Sequence, residues 1–370
     1  MTKQNKILKK IAHNKDCGLS RPIKANNDEC YTSIQNIINE LAYWGSLGKF
    51  KDKNIICPCD WDIIEDEEVY SITIKYNDTD IETTGNSVSK IEIQYDLWRD
   101  DNQEITINLK ESEIEEFLCN KLTCNFIKTL TTNARKWGIK SITASGYNPE
   151  TGRGIKFQDV DYSKYDICIT NPPFSLYGEF MKAIVDKIDF IVLAPFLNRT
   201  HPNVGLNLQL GKAFLGKNVE FGTKFNNVTN NKYLSVCVDW ITSFREAQDE
   251  RNEENKNYKT GIDYEIYKDE YDIMENMIME DDTCPIKVPA KGVPDNYYGW
   301  FFTNIGFINV YDLRQFEWYI TDAAKYYNEN PDKSPFKNKK YNKNAILYHN
   351  GKYNFEGIVA RRIKPKQQEN

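Results

Sequence analysis

Apolar positions recur at helical spacing over residues 33–44 (Ser-Ile-Gln-Asn-Ile-Ile-Asn-Glu-Leu-Ala-Tyr-Trp), the repeat that lays one apolar stripe along a helix. The run Asn54-Ile-Ile-Cys-Pro-Cys-Asp60 then reads as a short buried strand ending in an acidic turn. Residues 69–76, 89–98 and 103–109 alternate apolar with polar and are separated by Asn-Asp and Asp-Asp turns. That pattern predicts an antiparallel sheet of about three strands. Helical spacing returns over 113–136, followed by strand-like runs at 141–145, 166–170 and 188–194. Strands alternating with helices predict an α/β fold, a mostly parallel sheet with flanking helices. Ligands of such sheets collect at the carboxyl ends of the strands. Those ends are Cys59-Asp60, Ser145-Gly146-Tyr147 and Asn171-Pro172-Pro173-Phe174.

The last of these carries the most chemistry. Two prolines fix φ and remove backbone donors, so the loop leaving the 166–170 strand is stiff and offers mainly carbonyl acceptors. An exocyclic amine on a flat base needs acceptors. The Asn171 side-chain oxygen and the Pro172 carbonyl can take its two N–H bonds, and Phe174 can stack on the ring for roughly 1–3 kcal/mol. Pulled out of conjugation, the nitrogen lone pair becomes a nucleophile. A methyl sulfonium is the matching electrophile, because it is already activated. The plainer reading of the same four residues is an ordinary strand exit, since Asn-Pro pairs often end strands.

A chain of 370 residues exceeds the usual single domain, so a catalytic domain with a large insertion or a second lobe is expected. The formal charge of −6 is unevenly placed. Residues 1–24 hold seven Lys or Arg against Asp16, and from Lys325 onward eleven basic residues face four acidic ones. Most of the acid lies at 60–116 and 246–282. The cationic ends are able to neutralise phosphates or simply to stay solvated. Lys333 to Lys343 interleaves cations with Phe336 and Tyr341, a composition suited to stacking and phosphate contact. Asn198–Asn203, Lys212–Lys217 and Lys224–Lys232 mix basic, amide and aromatic groups in the same sense. The Tyr-rich acidic run at 258–282, helical in part, is expected to stay solvated.

Nine cysteines lie scattered without a C-x-x-C pair or a His cluster, which argues against a metal site and for a reducing compartment. No run approaches the length of a membrane span and no signal-peptide region opens the chain. The cytoplasm, of a bacterial or phage-infected cell, is the expected location. Three scattered His residues, outside any G-x-S-x-G or H-E-x-x-H context, give His-dependent hydrolysis little support.

Several segments in order now carry a family likeness: Asp28-Glu-Cys-Tyr-Thr32, Cys57-Pro-Cys-Asp60, Cys124-Asn-Phe-Ile-Lys-Thr129, Ile142-Thr-Ala-Ser-Gly-Tyr147, Asp166 to Leu176 and, further on, Trp300-Phe-Phe-Thr-Asn304. On these the chain resembles the EcoRI-type adenine-N6 DNA methyltransferases. The resemblance implies a Rossmann-like, class I methyltransferase sheet and S-adenosylmethionine as donor. It places Tyr31 and Thr32 against the methionine part, Cys57, Pro58, Cys59 and Asp60 where a glycine-rich first motif usually stands, Ser145 and Tyr147 beside the adenosine, Asp159 near the cofactor adenine, and Asn171 to Phe174 on the target base. Asp60 is equally suited to cap a helix, and Tyr147 to form a turn.

The expected organisation is a cofactor-binding catalytic domain at 1–62 and 113–195, an acidic β insertion at 63–112, and a target-recognition and C-terminal region at 196–370. Family members run almost directly across the place of the insertion. An acidic sheet is a poor phosphate binder, so it reads as a peripheral module for a protein partner or dimer contact, or as decoration. The expected activity is methylation of a flipped adenine in double-stranded DNA. The alternatives are methylation of RNA or of a protein glutamine amide, and a non-catalytic phage or defence protein on the same scaffold.

Overall fold

Strand β1 (Asn54–Cys57) sits near the middle of a ten-stranded sheet and sets the direction of its neighbours. The computed structural model describes residues 32–60, 62–64, 67–76, 88–95, 104–110, 124–148, 153–227, 232–337, 341–342, 348–349, 352–353 and 356–364. In chain order the remaining strands of this sheet are β2 (Asp62–Ile64), β3 (Glu67–Tyr76), β4 (Val88–Tyr95), β5 (Glu104–Lys110), β6 (Ser141–Ser145), then, past a small ribbon of β7 (Tyr147–Asn148) and β8 (Arg153–Gly154), β9 (Ile167–Thr170), β10 (Asp189–Pro195), β11 (Phe214–Asn227) and β12 (Lys232–Thr242). The spatial order is β11-β12-β10-β9-β1-β6-β3-β4-β5, with β2 beside β3.

The expected parallel arrangement occupies the centre, where β6, β1, β9 and β10 run the same way. Antiparallel strands extend it on both sides, β12 against β10 and β3 against β6. Ile55, Ile56, Cys57, Cys168 and Ile169 are buried on both faces, as a central parallel strand requires. Polar groups at the amino ends fix the register. Asp166 accepts from the Asn54 backbone N–H at 2.7 Å and from its side-chain amide at 3.1 Å. Ser141 donates to Asn54 Oδ1 at 2.7 Å. One asparagine thereby ties the starts of three strands together.

Helices α1 (Ile34–Ser46) and α2 (Asn125–Trp137) pack on this sheet through Ile37, Leu41, Trp44, Ile127, Leu130 and Ala134. Their apolar stripes follow the spacing read from sequence. Gly138 ends α2 in the left-handed region at φ 67, returning its N–H to the Ala134 and Arg135 carbonyls, which is the usual reason for glycine at that place. Glu40 on α1 is fully buried and accepts from Trp44 Nε1 at 2.8 Å, Lys217 N at 3.0 Å, Asn218 N at 2.8 Å and Asn218 Nδ2 at 3.1 Å. A side chain at Gly216 has no room, since its Cβ would lie 2.4 Å from Glu40 Oε1.

The acidic 63–112 segment is not set apart from the main sheet. Ser71–Lys75 pairs with Ser145–Ser141, so β3 continues the sheet directly and β4 and β5 follow outward. Residues 77–87, 96–103 and 111–123 lie outside the described residues.

The chain divides into two units, the first comprising residues up to Phe196 with Leu215–Phe244, the second Leu197–Phe214 with Arg245 onward. Residues 215–244 thus belong with the sheet, and the region beyond 196 is not one block. In the second unit α4 (Pro202–Gln209), α5 (Glu246–Asn255), α6 (Tyr264–Tyr267) and α7 (Ala324–Glu329) accompany a four-stranded sheet. Its strands are β13 (Ile286–Lys287), β14 (Phe301–Thr303), β15 (Phe316–Ile320) and β18 (Ile358–Arg362), in the order β13-β14-β18-β15. A two-strand ribbon, β16 (Tyr348–His349) with β17 (Lys352–Tyr353), precedes β18.

The aromatic core here corrects two expectations. Met274, Met277 and Met279, inside the acidic run expected to be solvated, are buried with Trp300, Phe302 and Tyr327. Phe336 and Tyr341, expected to face nucleic acid, are buried in the same cluster, their ring centroids 6.0 Å and 5.6 Å from that of Tyr327. Their apolar area outweighed the cations beside them, and Lys337 pairs with Asp282. Arg199 is likewise buried, donating to Asn309 Oδ1 at 3.0 Å, while His201 caps α4.

Candidate active site

Because β6, β1 and β9 are adjacent and parallel, their carboxyl ends open on one edge. Ser145 ends β6, Cys57-Pro58-Cys59-Asp60 leaves β1, and Asn171 follows β9. Three segments separated by tens of residues meet there.

Asp60 is buried and held from three directions. Its backbone N–H donates to the Ser145 carbonyl at 3.1 Å. Thr170 Oγ1 donates to Oδ2 at 2.6 Å, and Cys124 Sγ, at the start of α2, donates to Oδ1 at 3.4 Å. The Asp60 carboxylate is thus contacted by side chains from two other elements. Nearby, Asn125 Nδ2 donates to the Thr32 carbonyl at 2.8 Å, bringing the residue before α1 to the start of α2. Sequence reasoning missed Thr170, Cys124 and Asn125. A polar residue closing the apolar run Ile-Cys-Ile-Thr was the available signal for Thr170.

Buried polar groups ordinarily find a partner. Thr32 Oγ1 and Ser145 Oγ are buried and have none among the described residues. Two orphaned hydroxyls near a buried carboxylate are the donor and acceptor set that a polar ligand with hydroxyl, amine and carboxylate groups satisfies. The residues present fit S-adenosylmethionine in that sense. Burial pushes the Cys57 and Cys168 thiols well up, reinforced by the neighbouring Asp60 and by other cysteines. The Cys59 thiol is also pushed up, by burial and Asp60, against a hydrogen bond with Thr170. These thiols stay protonated and pack as small hydrophobes.

The Asn171 to Phe174 loop turns directly into a short 3-10 segment, Phe174–Leu176, with Leu176 N–H donating to the Pro173 carbonyl at 3.0 Å. Pro172 is buried, whereas Asn171, Pro173 and Phe174 are half-buried and retain accessible surface. Helix α3 (Tyr177–Ile184) follows, and its Phe180 packs edge-on against Phe157 at 5.3 Å. Tyr162 donates to the Phe157 carbonyl at 2.8 Å, fastening that loop.

Three expected residues remain. Tyr147 is half-buried in the β7–β8 ribbon, with the Lys156 ammonium 5.1 Å from its ring centroid. Asp159 is an exposed turn residue whose N–H bonds the Lys156 carbonyl. Tyr31 lies outside the described residues. Among the described residues no group of three or more His, Cys, Asp or Glu is placed to hold a metal, and no helix is long and apolar enough to cross a membrane.

The Type II methyltransferase M.EcoRI of Escherichia coli is 23% identical over 218 residues, covering 54% of this chain and 54% of that protein. The chain thus matches about half the length of this curated relative. Among solved structures, PH1948 from Pyrococcus horikoshii, provisionally described as an RNA methyltransferase, matches 66% of this chain and 96% of its own, at 12% identity and a TM-score of 0.29. The family model described as adenine-specific methyltransferase EcoRI matches residues 18–363, most of the chain. The protein belongs to the EcoRI adenine-specific methyltransferase family.

Proposed function

We propose that this protein transfers a methyl group from S-adenosylmethionine to the N6 amine of an adenine flipped out of double-stranded DNA. The observation that carries the reading is the convergence of Ser145, Asp60 and Asn171 to Phe174 on one edge of three adjacent parallel strands, within a family of adenine-specific methyltransferases. Asp60, Ser145 and Thr32 hold the cofactor's polar groups, with Cys57, Pro58 and Cys59 shaping the apolar wall beside them. Tyr31 and Tyr147 border the same molecule. Asp159, exposed on its turn, would stand near the cofactor adenine, as the family order implies. Bound there, S-adenosylmethionine supplies an activated methyl group on a sulfonium, whose departure as a neutral thioether needs no covalent enzyme intermediate.

The remaining work falls to the loop after β9. Asn171 Oδ1 and the Pro172 carbonyl accept the two amine N–H bonds, so the nitrogen lone pair is directed out of the ring plane. Pro173 keeps this turn stiff, and Phe174 stacks on the base. Extrusion of a paired base costs a few kcal/mol, which stacking and these hydrogen bonds offset. The amine proton becomes acidic once the nitrogen is methylated and leaves through solvent, so no strong general base is required.

Incubation of the full chain with methyl-labelled S-adenosylmethionine and mixed-sequence duplex DNA, followed by digestion to nucleosides, tests the reading. Label in N6-methyl-2′-deoxyadenosine supports it. Label only in deoxycytidine or in the protein itself, or none in the DNA, contradicts it.

A further inference from the structure

We propose that Thr170 is a positioning residue whose hydroxyl orients the Asp60 carboxylate and thereby joins the cofactor subsite to the loop that grips the target amine. The inference rests on the reading of Asp60 as a cofactor-binding acid and extends it to a residue of β9.

Thr170 is fully buried at the end of a strand whose other residues, Ile167, Cys168 and Ile169, are buried and apolar. A valine of nearly the same shape would satisfy packing and strand propensity, so packing does not account for the hydroxyl, which also bonds the Cys59 thiol. Its role is the 2.6 Å bond to Asp60 Oδ2, a charge-assisted contact of the short kind. It acts together with Cys124 Sγ on Oδ1, while the Asp60 N–H is held on the Ser145 carbonyl. Thr170 is also the residue directly before Asn171. Any displacement of the Asp60 carboxylate is therefore transmitted through one peptide unit to the side chain proposed to hold the amine.

The experiment uses the full chain as wild type, Thr170→Val and Thr170→Ser. Isothermal titration with S-adenosylmethionine is combined with thermal melting and steady-state methylation of duplex DNA. Losing a hydrogen bond to a charged group predicts cofactor binding weaker by about tenfold or more in Thr170→Val. Thr170→Ser, which keeps the donor, should bind within about twofold of wild type on the same reasoning. The loss in kcat/KM for cofactor should follow the loss in affinity, and kcat on duplex DNA should fall in Thr170→Val but not in Thr170→Ser. Native cofactor affinity in Thr170→Val, or a serine variant as weak as the valine one, overturns the proposal. If Thr170→Val melts much lower, Thr170→Ala replaces it, and native affinity in the folded fraction of both assigns the hydroxyl to folding and again overturns the proposal. Wild type that binds no cofactor overturns this inference together with the reading beneath it, whereas wild-type binding with an indifferent Thr170→Val overturns this inference alone.

Discussion

Asn171→Ala removes the side-chain acceptor proposed for the target amine but leaves Asp60, Ser145 and Thr32 untouched. Methylation should fall by about 10² or more, the effect of losing one preorganised charge-stabilising contact, while cofactor affinity stays within a few-fold. Single-turnover rates beside titration calorimetry separate the two, and near-native turnover would remove Asn171 from the amine. Phe174→Ala should slow methylation and weaken capture of the base, whereas Phe174→Tyr should be tolerated, since stacking needs only a flat ring; equal rates for Phe174→Ala and wild type on duplex DNA would exclude it. The place of these residues was legible because Asn-Pro-Pro-Phe follows an apolar strand, as it does in the structure; their role is the proposal. Thr170 and Cys124 were not, because their significance lies in contacts with Asp60 that are 110 and 64 positions distant in sequence. Asp159 was suggested by order along the chain alone, and it lies on an exposed turn.

Among elements, periodicity placed the strands well: Ser141–Ser145 falls on the expected residues, and β3, β4 and β5 lie within a few positions of the alternating runs. Alternation gives a strand's faces but not its neighbour, so the pairing of β3 with β6 was out of reach. Buried methionines within acidic sequence were misread for a related reason, because mean polarity hides three apolar positions that one core needs. The turn before β15 offers a test of local electrostatics. Arg314 donates to both oxygens of Asp312 at 2.8 and 2.9 Å and reaches Glu253 on α5 at 2.8 Å. Burial works to raise the Asp312 carboxyl, but hydrogen bonds from the Arg314 side chain and backbone hold it below its ordinary 3.8. A depressed folded-state value stabilises above the ordinary one, and that contribution is lost as pH falls through the folded value. Asp312→Asn should cost about 1–2 kcal/mol near neutral pH, with the deficit shrinking in acid as the wild-type carboxyl protonates. Urea unfolding of both proteins across pH measures it, and a deficit independent of pH would place the cause elsewhere than the carboxylate.

For the whole molecule, a formal charge of −6 on a proposed DNA enzyme makes the distribution of cations matter more than their sum. The C-terminal cations were left open between phosphate contact and solvation; Phe336 and Tyr341 among them are core, and β18 lies between β14 and β15 with Ile358, Val359 and Ala360 fully buried. Removing residues 332–370 should therefore unfold the second unit, seen as loss of near-ultraviolet circular dichroism from its buried aromatic residues and of a cooperative melting step. A truncated chain that retains both would contradict this packing. Cofactor and base chemistry, in contrast, is proposed to depend on the carboxyl ends of β6, β1 and β9 acting as one site. The most direct measurement is nucleoside analysis of duplex DNA after incubation with the wild-type chain and methyl-labelled S-adenosylmethionine, with Asn171→Ala alongside. Label recovered as N6-methyl-2′-deoxyadenosine from wild type and absent from the variant is the predicted result, whereas unlabelled DNA, or equal labelling by both proteins, would contradict it.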